Sequence, residues 1–369
     1  MANSKNDNTL RTYYDIIVSN INSNSLSIPN VLSYTENRNG DAFVNQADNY
    51  LFSIVRFSLD SNNLPIFFAY VQSNQSDINL TIYSVSMTYN NQTVQTYITY
   101  IPQDKTASIP SSPSSNLKGL QTYCDYYYVY NYEYFIYLIN TALNTCFNSL
   151  SALTTLPTTI VPYFKWNTSS NTATLITDSV GFNDMSSDYI QLYFNNALFN
   201  LFESLPSFTI NESSSRGLIY QISCSSYGMA EQITSGTTTY LSCNQEFSTI
   251  STWNPVTSII FTTTLLSIKS ESLGAPLIYL DNYSYQSTNN KNIAGIISDF
   301  QPSDSIYKPY VNYQPTVMRY IELVGSQPID KIDINVYWKN RFGELIPFKL
   351  NPSNSLTVKV CFSRIFTHN

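Results

Sequence analysis

The chain has 369 residues, 43% of them hydrophobic and only 12% charged, with a net charge of −7. That apolar share excludes a disordered chain, and an acidic balance with no run of Lys or Arg excludes direct nucleic-acid binding. Charge at about half the usual share, beside 31 Tyr and 20 Phe, points to uncharged polar and aromatic surfaces, the composition of protein–protein interface cores.

The opening MANSKNDNTLRTYYD contains no apolar stretch of the kind a secretory signal needs. No uncharged apolar run is long enough to span a bilayer as a helix, so no transmembrane segment is expected. From Thr12 to Ile101 the patterns are those of strands: TYYDIIVS, YLFSIVRFS and IFFAYVQ are β-branched and aromatic. In IYSVSMTY the residues Tyr83, Val85, Met87 and Tyr89 share one face, Asn90 and Asn91 make a turn, and TVQTYITYI returns as a hairpin. IPSSPSSN, beginning at Ile109, has two prolines among serines and reads as a linker or long loop.

The periodicity then changes. Phe135, Leu138, Ala142, Cys146 and Leu150 form a helical stripe that predicts a helix over Tyr132–Leu150. A similar stripe of Ile190, Phe194, Ala197, Leu201 and Leu205 predicts a second helix over Tyr189–Leu205. NTALNTCFNSL and NNALFNLFESL agree at six of eleven positions, and each is followed by a Pro-Phe-Asn hairpin pattern starting at Pro162 or Pro206. The expectation is two copies of a helix–hairpin unit.

After Trp253 the strands resume with SIIFTTTLLSI, IAGIISDFQ and RYIELVG. Ile334, Val336 and Trp338 then alternate with polar residues, turn at Gly343, and are followed by the strand TVKVCFSRIF. The predicted fold is mainly β: a single antiparallel eight-stranded jelly-roll sandwich with an inserted α+β lobe. Residues 1–103 and 251–369 are assigned to the sandwich and 104–250 to the lobe.

Chemistry is sparse. The single histidine is His368, and there is no GxGxxG, P-loop or GxSxG pattern. Asp299 with Asp304, and Asp330 with Asp333, are the only carboxylate pairs that suggest a glycosidase arrangement, and aspartates at strand ends ordinarily make turns. Five cysteines, Cys124, Cys146, Cys224, Cys243 and Cys361, have no CxxC spacing. Cys224 and Cys243 could pair across adjacent strands, and buried free thiols are the alternative. No catalytic, cofactor-binding or metal-ligating residue is assigned, no cofactor is expected, and the protein is not expected to be an enzyme.

The segment from Gly295 to Phe366 resembles the penton, or minor capsid, proteins of virophages and Polinton-like viruses, most closely those of Sputnik-type virophages. An Asp-Phe-x-Pro step (Asp299, Phe300, Pro302), the strand Arg319–Leu323, the pair Val336 and Trp338, the Gly343 turn and the strand Val358–Phe362 carry the likeness. The resemblance implies homopentameric capsomers of single jelly rolls at the fivefold vertices of an icosahedral virion, assembled in the host cytoplasm. It implies a double jelly-roll major capsid protein as neighbour and leaves a host or giant-virus surface receptor as a further partner. The alternative is a carbohydrate- or receptor-binding β-sandwich module of a virion surface, displaying the tyrosines of YCDYYYVYNYEY, Tyr123 to Tyr134.

Overall fold

The computed structural model describes residues 11–21, 30–111, 124–210, 219–225, 230–269, 277–281, 284–286, 295–301 and 309–365. It divides into two compact units, Met1–Leu64 with Val256–Asn369, and Pro65–Pro255.

The first unit is built on eight strands: β1 (Arg11–Ser19), β2 (Ser33–Asn37), β3 (Tyr50–Asp60), β4 (Val256–Thr263), β5 (Gly295–Phe300), β6 (Tyr310–Tyr313), β7 (Lys331–Asn340) and β8 (Ser355–Arg364). Within a five-stranded sheet they run β1–β8–β3–β6, with Ile321–Glu322 also paired to β3, and within a seven-stranded sheet β2–β7–β4–β5, each of these neighbours antiparallel. Glu344–Pro347 also pairs with β7, and Leu277–Asp281 joins Glu344–Pro347 in parallel. Period-two alternation makes each strand two-faced. On β7, Ile332, Ile334, Val336 and Trp338 are buried while Asn335, Tyr337 and Lys339 are only partly so. The sheets meet through aromatic rings: Phe57 of β3 lies 4.9 Å from both Phe261 of β4 and Phe300 of β5. Tyr313 of β6 lies 4.4 Å from Phe300.

The predicted turn after Trp338 is present. Trp338 pairs with Ile346 on the strand Glu344–Pro347, and Gly343 takes φ +80°, a left-handed conformation that favours glycine. Asn340 holds the turn by accepting from the amides of Phe342 and Glu344 and donating to the Glu344 carboxylate at 2.6 Å.

In the second unit, one sheet has the order Ser207–Thr209, Tyr220–Ile222, Gln191–Phe194, Leu80–Tyr89, Gln92–Thr99. The other runs Glu231–Ser235, Thr238–Asn244, Thr172–Asp178, Tyr163–Asn167. Helix α1 (Tyr132–Ser151) starts at Asn131, whose side chain accepts from the Glu133 amide, and it buries the whole predicted stripe. Trp253 gathers the core: its ring is 5.3 Å from those of Phe67 and Phe202 and 5.7 Å from that of Phe135. Its Nε1–H donates to the Leu201 carbonyl at 2.8 Å.

Two expectations are corrected. The expected boundary at residue 104 falls too late. The hairpin Leu80–Tyr89/Gln92–Thr99 has the predicted register and turn, but its first strand pairs with Gln191–Phe194. It therefore belongs to the second unit, which begins at Pro65 and ends at Pro255. The second predicted helix is not a helix of that length. Gln191–Phe194 is a strand, and only Asn196–Phe199 is helical. Asn195 decides the change: its side chain accepts from the amides of Ser84 and Leu198 and donates to the Ile82 carbonyl. One residue thus ties the strand edge and starts the short turn of helix. The two helix–hairpin units are not structural copies, although both downstream hairpins form.

Candidate functional site

The outward face of the β1–β8–β3–β6 sheet carries a concavity of about 660 Å³. Its floor is two cross-strand rows. Asp15 is opposite Lys359, which is opposite Arg56, with Gln314 also lining the concavity. Ile17 is opposite Thr357, which is opposite Ser58, which is opposite Asn312. These residues share a face because alternate residues, Ile16, Val358 and Phe57, turn inward and are buried. Lys359 Nζ lies 3.6 Å from the Asp15 carboxylate and 5.5 Å from the Tyr13 ring centroid. Arg56 is exposed and makes no ion pair among the described residues.

A second polar cluster joins β1 to β2. Glu36 accepts from the hydroxyls of Tyr14 and Tyr34 and from Arg38 Nε at 2.9 Å. The Arg38 guanidinium also lies 4.1 Å from the Phe43 ring centroid. The two tyrosine hydroxyls, with Arg38 behind them, hold the Glu36 carboxyl down to about 2. Burial, with the bond to Glu36 added, pushes the Tyr34 hydroxyl well above its usual range. The cluster is a clasp between β1 and β2.

Each described carboxylate of the pairs read from the sequence has its own surroundings. Asp304 lies outside the described residues, as do His368 and Pro302, and Asp299 is ion-paired to Lys339 at 3.3 Å. Asp330 is exposed and Asp333 buried. Asp333 accepts from the Thr263 and Thr264 hydroxyls, the Thr264 and Leu265 amides and the Asn335 amide group. Burial opposes ionisation there, but those donors outweigh it and leave the carboxyl below its ordinary range. It is a turn-holding carboxylate after β4. All five cysteines are buried free thiols. A thiol–thiol hydrogen bond joins Cys243 to Cys224 and, with burial, raises the Cys243 thiol far above its usual range. Among the described residues no group of His, Cys, Asp and Glu is placed to hold a metal ion. No described helix is long and apolar enough to cross a membrane.

The tyrosine run is packed at its centre, while Tyr130, Tyr132 and Tyr134 are half-buried. Tyr126, Tyr127 and Tyr128 are buried, and the hydroxyls of Tyr126 and Tyr127 donate to Asn79 Oδ1 and the Ile78 carbonyl, each at 2.9 Å. Tyr123 lies outside the described residues.

Comparison with known proteins decides the family. The model of the Sputnik minor capsid protein V18/19 matches residues 12–364. The chain belongs to that minor capsid family. Among Sputnik virophage proteins, structural protein V19 is 25% identical over 210 residues, covering 54% of this chain and 92% of that protein. Uncharacterized protein V18 is 34% identical over 112 residues, covering 30% of this chain and 67% of its own length. A chain of the Sputnik virophage structure, solved by cryo-EM at 3.5 Å, superposes with a TM-score of 0.77 at 26% identity, covering 96% of this chain and 98% of that one. The crystal structure of the mavirus penton protein superposes with a TM-score of 0.64 over 96% of this chain and all of that one. At 14% identity that likeness is one of fold. The minor capsid protein is thus a structural component of a virion, and the elements that carried the resemblance fall on the sandwich. Val336 and Trp338 of β7 and Val358, Val360, Cys361 and Phe362 of β8 are buried.

The outward rows and the Glu36 clasp escaped sequence reasoning. Both join residues far apart in the chain, Asp15 to Lys359 and Tyr14 to Glu36, and only strand pairing brings them together.

Proposed function

We propose that this minor capsid protein forms homopentameric capsomers at the fivefold vertices of an icosahedral virion, beside a double jelly-roll major capsid protein, after assembly in the host cytoplasm. The observation that supports this best is the strand order. Eight antiparallel strands, β1–β8–β3–β6 within a five-stranded sheet and β2–β7–β4–β5 within a seven-stranded one, follow the order of a single jelly roll. The second unit is then an insertion between β3 and β4, spanning residues 65–255. The role is structural, with no catalysis. Low charge and abundant Tyr, Asn and Ser suit the head-to-tail contacts that close a ring. Native mass spectrometry of the purified chain, alone and with the major capsid protein, tests the reading. The expected species is five times 41.9 kDa. A chain that stays monomeric in both conditions removes the vertex assignment.

A further inference from the structure

The register of the outward rows sets Arg56 directly opposite Lys359. Like charges facing each other across two strands weaken a sheet. Lys359 is offset by Asp15, but Arg56 is exposed and makes no ion pair among the described residues. In a chain of net charge −7, carboxylates outnumber cations, yet none of the described ones is paired with this guanidinium. The position favours an external anion, and a planar guanidinium with paired N–H donors is matched to a carboxylate.

The surroundings narrow the ligand. Ser58 Oγ donates to Asn312 Oδ1, which leaves the Asn312 amide hydrogens to point elsewhere, and the Asp15 carboxylate is well exposed. Short hydroxyl, amide and carboxylate groups side by side complement a hydroxyl-rich ligand. The backbones of β8 and β3 are paired on both sides, so no strand can insert between them. Ile17 is exposed and Tyr313 half-buried in the lining, so one aliphatic and one aromatic side chain stand beside the polar groups. A volume of about 660 Å³ is in the range of small-ligand sites.

We infer that the outward face of the β1–β8–β3–β6 sheet binds a carboxylated saccharide, with Arg56 holding the carboxylate and Asp15, Ser58 and Asn312 the hydroxyls. Lys359 stays paired with Asp15 beside it. The site is independent of the inserted unit and of its tyrosines.

The test is calorimetric titration of the full chain with trigalacturonate, with neutral maltotriose and with a Glu-Gly-Glu peptide. The oligomeric state of each sample is read by native mass spectrometry. Trigalacturonate is expected to saturate one site per chain, with both other probes weaker by about tenfold or more, the size of one charge-assisted contact. Arg56→Gln should lower affinity for trigalacturonate by at least that factor while leaving the melting temperature in place. Should that variant not fold, Arg56→Lys and Asn312→Ala carry the same comparison. Absent saturation, equal binding of maltotriose, or an Arg56 variant with unchanged affinity overturns the inference. Stronger binding of the peptide assigns the face to a protein partner instead. Refusal of trigalacturonate by pentamers that form normally assigns it to a contact between copies, and leaves the vertex reading standing.

Discussion

Trp338 sits at the end of the inward row of β7, 3% exposed, with Ile334 and Val336 on the same side at 1% each. Truncating a large aromatic in such a place removes transfer free energy and leaves a cavity. Trp338→Ala should therefore destabilise the protein by about 3–5 kcal/mol, read as a lower denaturant midpoint. A change of only about 0.5 kcal/mol, the size typical of surface substitutions, would show that the side chain is not in the core. Glu36 gives a pH-dependent counterpart. Its carboxyl is lower in the folded chain, so its stabilisation is present in full above the ordinary value of 4.5 and is lost as pH falls through about 2. Glu36→Gln should lower the melting temperature near neutrality, and the gap to the parent should close as pH drops through that window. A gap of constant size down to about pH 2 would contradict the clasp.

Between elements, single asparagines do much of the joining. Asn140 of α1 donates to the Phe164 carbonyl at 3.0 Å and accepts from the Phe164 amide at 2.7 Å. It satisfies one residue of the otherwise open edge of the strand Tyr163–Asn167 and docks the helix there. Asn140→Ala leaves both groups unpaired, and should cost about 2 kcal/mol with faster amide exchange at Phe164. Exchange at that amide as slow as in the parent would mean that water or another side chain replaces the asparagine. Asn195 plays the matching part at the start of Asn196–Phe199, and the two positions align in the sequence comparison that suggested a repeat. What recurs is an asparagine that binds a strand edge, and the twenty-residue helix of the first copy has no equivalent in the second. The run Leu192, Tyr193, Phe194 is buried throughout, a pattern that strand and helix share until a neighbour decides.

For the whole molecule, the division at Leu64 and Val256 predicts that residues 65–255 can be replaced by a short linker. The remaining β1–β8 unit should unfold in a single cooperative transition, monitored by circular dichroism. A chain lacking cooperative unfolding would show that the second unit is needed for the first to fold. With 12% charged residues, a ring of five copies should be held mainly by Tyr, Phe, Asn and Ser. Its contacts should bury more than about 1,000 Å² each and respond weakly to ionic strength, because screening acts on exposed charges. Sedimentation of pentamers at low and high salt checks this, and dissociation on raising salt alone would place charge pairs at the contacts instead.

Local pattern was enough for the elements whose signals are local. The alternations at Tyr83–Tyr89 and Ile334–Trp338, the stripe of α1 and the turns at Asn90 and Gly343 depend on residues a few positions apart, and each formed as read. Composition pointed no further than an assembling β-protein, and the resemblance carried by the closing segment placed the chain among capsid proteins, as the family match bears out. Tertiary structure decided the rest. It assigned the Leu80–Thr99 hairpin to the second unit through its pairing with Gln191–Phe194, which no local pattern encodes. It turned a helical stripe into a strand by satisfying the edge of a neighbour at Asn195. It also set Arg56 opposite Lys359 and Asp15 beyond it. Those three charges belong to three strands brought together only by register, so a row across the sheet has no image along the chain.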